Sequence, residues 1–296
     1  MASLQKALCA LALVGSRVLA ADAAGPGPEQ QTNGYIDVGG SKIYYETRGA
    51  GPAIVLLHDG LLHAVTWDEV WETLATKHQV IRYDRRGYGR SEAATTLFSP
   101  TEDLAKLLRQ LSVAHALIVG SSSGAALAID FAIEHPEMVD GLFLIGPVLH
   151  GMEYSAEFRE RANRNNAPME RGDAKAWARN WSQDKFLIAG AHEETRRRIY
   201  EELVANAEKL KNYNGAFEEK PTPPASKRLG EIKAPVSILV GEADISEVHA
   251  HCAAIRAGIS GAERSAVKGA GHLIQLEKPA EVVKRLEDFA QECARK

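Results

Sequence analysis

One decapeptide, LIVGSSSGAA at residues 118–127, restricts the fold of this chain more than any other stretch. Strand-forming residues lead into it and helix formers follow it, so the backbone must pass from strand to helix through five small residues. The spacing Gly-x-Ser-x-Gly, Gly120 to Gly124, puts Ser122 at the corner. Two residues before and two after that corner, neighbouring backbone comes too close for a Cβ, which accounts for both glycines. The spacing therefore selects Ser122 over Ser121 and Ser123 as a candidate nucleophile. It leaves Ser123 at the start of the helix, where its backbone N–H can meet a developing oxyanion. The competing reading is a plain polar turn.

A serine needs a base, and the base needs an acid to orient it. In a strand–helix architecture of this kind the acid and then the histidine should follow the serine, each at the end of a later strand. SILVGEAD delivers Asp244 and SAVKGAGH delivers His272. Glu242 is the rival acid, and the strand-end position favours Asp244. Both residues belong to the strand edge where open α/β sheets place ligands.

The remaining order of elements supports this. GYIDVGGSKIYYETRG alternates around Gly39-Gly40 as a hairpin. PAIVLLH, QVIRYD, HALIVGS, DGLFLIGPV, APVSILVGEAD and ERSAVKGAGH read as strands. Helical patterns separate them, including SPTEDLAKLLRQL with a capping box at Ser99 and Glu102. The expected fold class is α/β, a mostly parallel sheet with helices on both faces. Residues 151–227 break the rhythm with three helical patterns and no clear strand, a helical insertion over one edge of the sheet that returns through the proline-rich EKPTPPASKR.

Taken together, LLHDG, YDRRGYGRS, GSSSG, GEAD and GAGH resemble, in order, the motifs of the α/β-hydrolase fold superfamily, from about Gly34 to the C-terminus. The resemblance implies a core over 34–150 and 228–296 and a cap or lid over 151–227. It implies an acyl-enzyme mechanism on Ser122, Asp244 and His272, with Gly60 and Ser123 N–H groups as the oxyanion hole. No metal or organic cofactor is then required, and the partner is a small-molecule substrate. A small carboxylic ester or lactone fits best. The same triad also serves peptidases, C–C bond hydrolases and haloperoxidase-like enzymes, and the fold hosts low-turnover ligand receptors. One departure stands out, because Asp59 sits between His58 and Gly60. Its carboxylate would oppose an oxyanion if it pointed inward, and the expectation is that it turns away to cap the helix at TWDEV.

Composition narrows the partners. With 35 Lys and Arg against 39 Asp and Glu, the net charge is −4 and no basic stripe occurs, which argues against nucleic acid. At the N-terminus, Lys6, an apolar run from Ala7 to Gly15, and Val18 and Ala20 at the −3 and −1 positions form a secretory signal pattern. Arg17 departs from that pattern. The run is too short to span a bilayer, so the expectation is an exported protein, cleaved near Ala20, with residues 21–33 as a flexible lead-in and no stable membrane anchor. Cys252 and Cys293 read as buried free thiols rather than a disulfide. His249 and His251 in EVHAHC point to different faces of a solvated helix, which disfavours a metal site. Trp177 and Trp181 pack in the cap core, with substrate contact as the alternative, and His63 is expected at the surface.

Overall fold

Apolar runs that alternate with amphipathic segments can bury themselves only as a covered sheet, and the computed structural model, which describes residues 31–190, 192–213 and 215–295, has this arrangement. Strands β1 (Thr32–Asp37) and β2 (Lys42–Arg48) form the expected hairpin, with Gly39 and Gly40 at φ of 88° and 78° in the turn. β2 pairs antiparallel with β4 (Gln79–Tyr83). The rest of the sheet is parallel: β3 (Ala53–Leu57), β5 (Ala116–Ser121), β6 (Val139–Ile145), β7 (Val236–Gly241) and β8 (Glu263–Val267). The eight strands run in the order β1-β2-β4-β3-β5-β6-β7-β8.

The two faces of the sheet make two cores. Along β3, Val55 and Leu57 enter one and Ile54 and Leu56 the other, the period of two of a strand covered on both sides. Helices α2 (Pro100–Gln110), α3 (Ser123–Glu134) and α7 (Ser246–Gly258) cover the first face. Helices α1 (Asp68–Leu74) and α9 (Pro279–Cys293) cover the second. Ser99 caps α2 as its spacing predicts, accepting the Glu102 N–H at 3.3 Å.

Between β6 and β7 the chain forms α4 (Ala156–Glu170), α5 (Ala174–Ser182) and α6 (Glu193–Asn212). Trp177, Trp181, Ile199 and Leu203 make a third core, which also takes in Leu62, Leu273 and Leu276 from the loops of the main body. This insertion therefore sits on the loops that follow β3 and β8. The four-residue α8 (Ile274–Glu277) lies directly after His272.

Several expectations need correction. His63 is buried, held between Asp84 (3.3 Å) and Glu202 of α6 (3.2 Å). His251 is buried as well, because its Nδ1 accepts the Leu149 N–H at 3.0 Å, so that face of α7 is not solvated. Cys252 is the buried free thiol expected, whereas Cys293 is only half-buried, beside Gly141. Among the described residues no group of acidic, histidine or cysteine side chains could hold a metal ion, and no helix is long and apolar enough to cross a membrane. The signal pattern over 1–20, most of the 21–33 lead-in and Cys9 lie outside the described residues.

Candidate active site

The corner between β5 and α3 has the geometry the glycines require. Ser122 sits at φ 54° and ψ −117°, a backbone region costly for a residue with a side chain. Its N–H is tied to the Ile145 carbonyl at 2.9 Å, and its own carbonyl accepts the N–H of Ala125, the first turn of α3. A Cβ on Gly120 would lie 2.5 Å from the Gly124 carbonyl oxygen, and one on Gly124 would meet the His58 carbonyl oxygen at 2.4 Å. Both glycines are thus steric necessities of the corner.

The three serines part company here. Ser121 is buried and accepts a hydrogen bond from Gln275 Nε2 at 3.2 Å. Ser123 Oγ accepts from Arg85 at 2.9 Å. Ser122 is half-buried and its hydroxyl has no hydrogen bond among the described residues.

Asp244 lies in the turn after β7, with its N–H bonded to the Gly241 carbonyl at 3.1 Å. One of its carboxylate oxygens accepts the Ile245 N–H at 2.8 Å, and the other meets His272 Nδ1 at 2.7 Å. Glu242 is exposed and holds the Gly269 N–H instead, so it is not the partner of this histidine. Burial opposes a charge on His272, but the Asp244 carboxylate outweighs it and raises the imidazole pKa above its ordinary value. The ring packs over Gly146, where a Cβ would lie 2.9 Å from Nδ1. Gly146 adjoins Ile145, the residue that anchors the Ser122 N–H, so serine and histidine stand on either side of one strand end. The structure does not close a hydrogen bond between them.

The histidine loop is held from two sides. His272 N–H donates to the Phe186 carbonyl at 2.8 Å, and Leu273 N–H to the Leu187 carbonyl at 3.1 Å. Glu277, with a fully buried side chain, accepts the Gly271 N–H at 2.6 Å and the Ala189 N–H at 2.7 Å. Burial pushes this carboxyl up to about 7.

On the other side of Ser122 lies the loop after β3. Gly60 is close to the elbow, since a Cβ there would come within 3.2 Å of Ser123 Oγ. Asp59 is buried and does not cap the helix at TWDEV. Its Oδ1 accepts the N–H groups of Leu61 and Leu62, both at 2.8 Å, because those are the amides left open by the turn it occupies. A cleft of about 290 Å³ opens at Gly60 and is walled by Tyr88, Trp177, Trp181, Leu210 and Tyr213. The two tryptophans thus serve the insertion's core and also face this cleft, with both indole N–H groups donating to Asn166. A larger groove of about 450 Å³ lies between the opposite strand ends and α9, remote from these residues.

Reasoning from the sequence placed Ser122, Asp244, His272, Gly60 and Ser123 around one edge of the sheet. It missed Arg85 and Glu277. The first was hidden inside YDRRGYGRS among three arginines, and the second stands five residues beyond His272 with no periodic signal.

Residues 54–285 match the sequence profile of an alpha/beta hydrolase family. Over 264 residues the chain is 27% identical to a 2-hydroxy-6-oxo-6-phenylhexa-2,4-dienoate hydrolase of Comamonas testosteroni, covering 84% of this chain and 91% of that one. A hydrolase of Bacillus subtilis, YraK, is 35% identical over 145 residues, 45% of this chain and 54% of that protein, so the match spans about half of that relative. Among solved structures, a thermophilic esterase from Thermogutta terrifontis superposes with a TM-score of 0.72 at 22% identity, over 86% of this chain and 94% of that one. An enol-lactonase from Burkholderia xenovorans gives 0.71 at 20%, over 87% and 100%.

Proposed function

Because the chain belongs to the alpha/beta hydrolase family, we propose that it is a serine hydrolase acting on a small carboxylic ester or lactone through an acyl-enzyme. The observation that carries this reading is the placement of the His272 ring. It is bonded to Asp244 at 2.7 Å and seated on Gly146, next to the carbonyl that anchors the strained Ser122 corner. In the proposed cycle Ser122 Oγ attacks the substrate carbonyl carbon while His272 Nε2 takes the hydroxyl proton. Asp244 accepts from Nδ1, which fixes the tautomer and stabilises the imidazolium. The carbonyl oxygen, now negative, is received by the N–H groups of Gly60 and Ser123 at the start of α3. The proton on His272 passes to the leaving alkoxide, and the alcohol departs. Water, deprotonated by His272, then attacks the acyl-enzyme and releases the carboxylic acid and Ser122.

The cleft at Gly60, between the main body and α5–α6, is the proposed approach for substrate, and its aromatic walls favour an apolar acyl or alkyl group. The relative named as a hydrolase of a phenylhexadienoate, which spans most of this chain, favours C–C bond cleavage as the second reading. The signal pattern over 1–20 adds that the enzyme is exported.

The test is release of p-nitrophenol from esters of increasing acyl length by wild type and Ser122→Ala, with a vinylogous C–C substrate alongside. Turnover of one of the esters that falls by about four orders of magnitude or more in the variant is the expected result. Ester turnover that survives in Ser122→Ala would overturn the mechanism.

A further inference from the structure

Arg85 is a half-buried charge that the proposed cycle does not use. It follows β4, and its neighbours Arg82, Arg86 and Arg90 are each paired with carboxylates. Arg85 has no carboxylate at ion-pair distance among the described residues, Glu218 acting on it only from farther across a shared cleft, and its Nε is buried without any hydrogen bond. Its remaining contacts converge on two places. Nη2 donates to the Asp59 carbonyl at 2.8 Å and to Ser123 Oγ at 2.9 Å. Its backbone N–H donates to His58 Nε2 at 2.9 Å, and His58 Nδ1 in turn lies 2.7 Å from the same Asp59 carbonyl. Burial, reinforced by the Arg85 charge, keeps His58 neutral, with its single ring proton on Nδ1 to donate to that carbonyl.

The Asp59 carbonyl and the Gly60 N–H belong to one peptide plane. A planar trans peptide points its C=O and N–H in opposite directions. Two donors clamped on the Asp59 oxygen therefore fix the direction of the Gly60 N–H. The same guanidinium holds the side chain of Ser123, whose N–H is the other oxyanion donor.

We propose that Arg85 is the residue that positions the oxyanion hole, fixing the Asp59–Gly60 peptide against Ser123 while placing a positive charge behind both donors. This rests on the serine-hydrolase reading above. A cation held there strengthens the Gly60 N–H as a donor through the polarised peptide and favours the oxyanion directly. Arg85 touches no reacting atom, so its effect belongs to the transition state.

The experiment compares wild type, Arg85→Met, Arg85→Lys, Ser123→Ala and Ser122→Ala, each checked for native circular dichroism. It measures kcat, KM and inhibition by phenylboronic acid, whose adduct with the serine places a negative oxygen in the hole. Arg85→Met should lower kcat by about 100-fold with KM within about threefold, and should weaken phenylboronic acid by a similar factor. Arg85→Lys keeps the charge but not the fork, so it should fall between the two. Ser123→Ala removes one of the three links and should cost about threefold to tenfold. Should Arg85→Met fail to fold, Arg85→Lys and Ser123→Ala carry the test, and full activity in both overturns the assignment. So does a fall in kcat with unchanged phenylboronic acid binding, which would mark a merely structural arginine. Activity that survives in Ser122→Ala defeats the hydrolase reading itself. Activity lost in Ser122→Ala but kept in Arg85→Met defeats only the role of Arg85.

Discussion

Replacing Glu277 with glutamine should change stability in a way that depends on pH. The carboxyl has no exposed side-chain surface and accepts two backbone N–H groups, Ala189 at 2.7 Å and Gly271 at 2.6 Å. Burial dominates those bonds and the nearby positive charge of Arg196, and pushes the carboxyl from 4.5 up to about 7. Between those values the folded chain holds a proton that the unfolded chain has released. Stability therefore falls as pH rises through this window and levels off above pH 7, by about 3 kcal/mol for a shift of this size. Glutamine does not titrate. Its carbonyl can accept one of the two N–H groups, while its NH₂ faces the other and leaves a buried donor unsatisfied at about 1–3 kcal/mol. At pH 5 wild type should exceed Glu277→Gln by about that amount, and the gap should close or invert by pH 8.5. Urea denaturation of both proteins from pH 5 to 9 measures the difference directly, since the titrations of groups away from Glu277 cancel. A gap that stays constant across the series would refute the reasoning.

Two further outcomes follow from the same site. Asp244→Asn removes the charge that raises the His272 pKa, so burial should prevail and move the acid limb of kcat/KM to lower pH, while kcat falls by about 10⁴-fold; a limb that stays in place would mean another group sets it. Gly124→Ala would drive a Cβ to 2.4 Å from the Leu57 and His58 carbonyl oxygens, two backbone atoms that cannot turn aside. It should cost about 3 kcal/mol or more, read as a lowered Tm or lost soluble protein, and an unchanged Tm would show that α3 is free to shift.

What could be read from the chain beforehand was whatever local spacing encodes. The hairpin at Gly39-Gly40, the strand–corner–helix at Ser122 and the cap on α2 each depend on neighbours within a few residues, and each lies where the spacing puts it. Asp244 and His272 were accessible because each ends a strand, and parallel strands bring their ends to one edge. The bonds that tune the site lacked any such signal. Arg85 meets Ser123 across 38 positions, and Glu277 meets Ala189 across 88. Contacts of that separation leave no period in the sequence. The misplaced histidines have the same origin. His63 is covered by Glu202 of α6, and His251 by the Leu149 N–H, partners that become neighbours only after the chain has folded. Asp59 shows a subtler case: capping was the right chemistry, but the nearest open amides were those of Leu61 and Leu62.

The main-chain bonds between Phe186–Leu187 and His272–Leu273 carry a lesson for anyone building chimaeras. Transplanting the whole interval from β6 to β7 out of another member of the family would replace the carbonyls that hold the histidine loop, and would leave Glu277 without the Ala189 amide. A donor insert should therefore end before Asp184, whose carboxylate already receives the Phe186 and Leu187 N–H groups. Residues 184–189 would then stay with the recipient. Drawn this way, the graft exchanges α4 and α5, with the two tryptophans that wall the cleft, and keeps the histidine's mount provided the donor α4 carries counterparts of Arg161 and Asn165, which hold the Asp184 carboxylate.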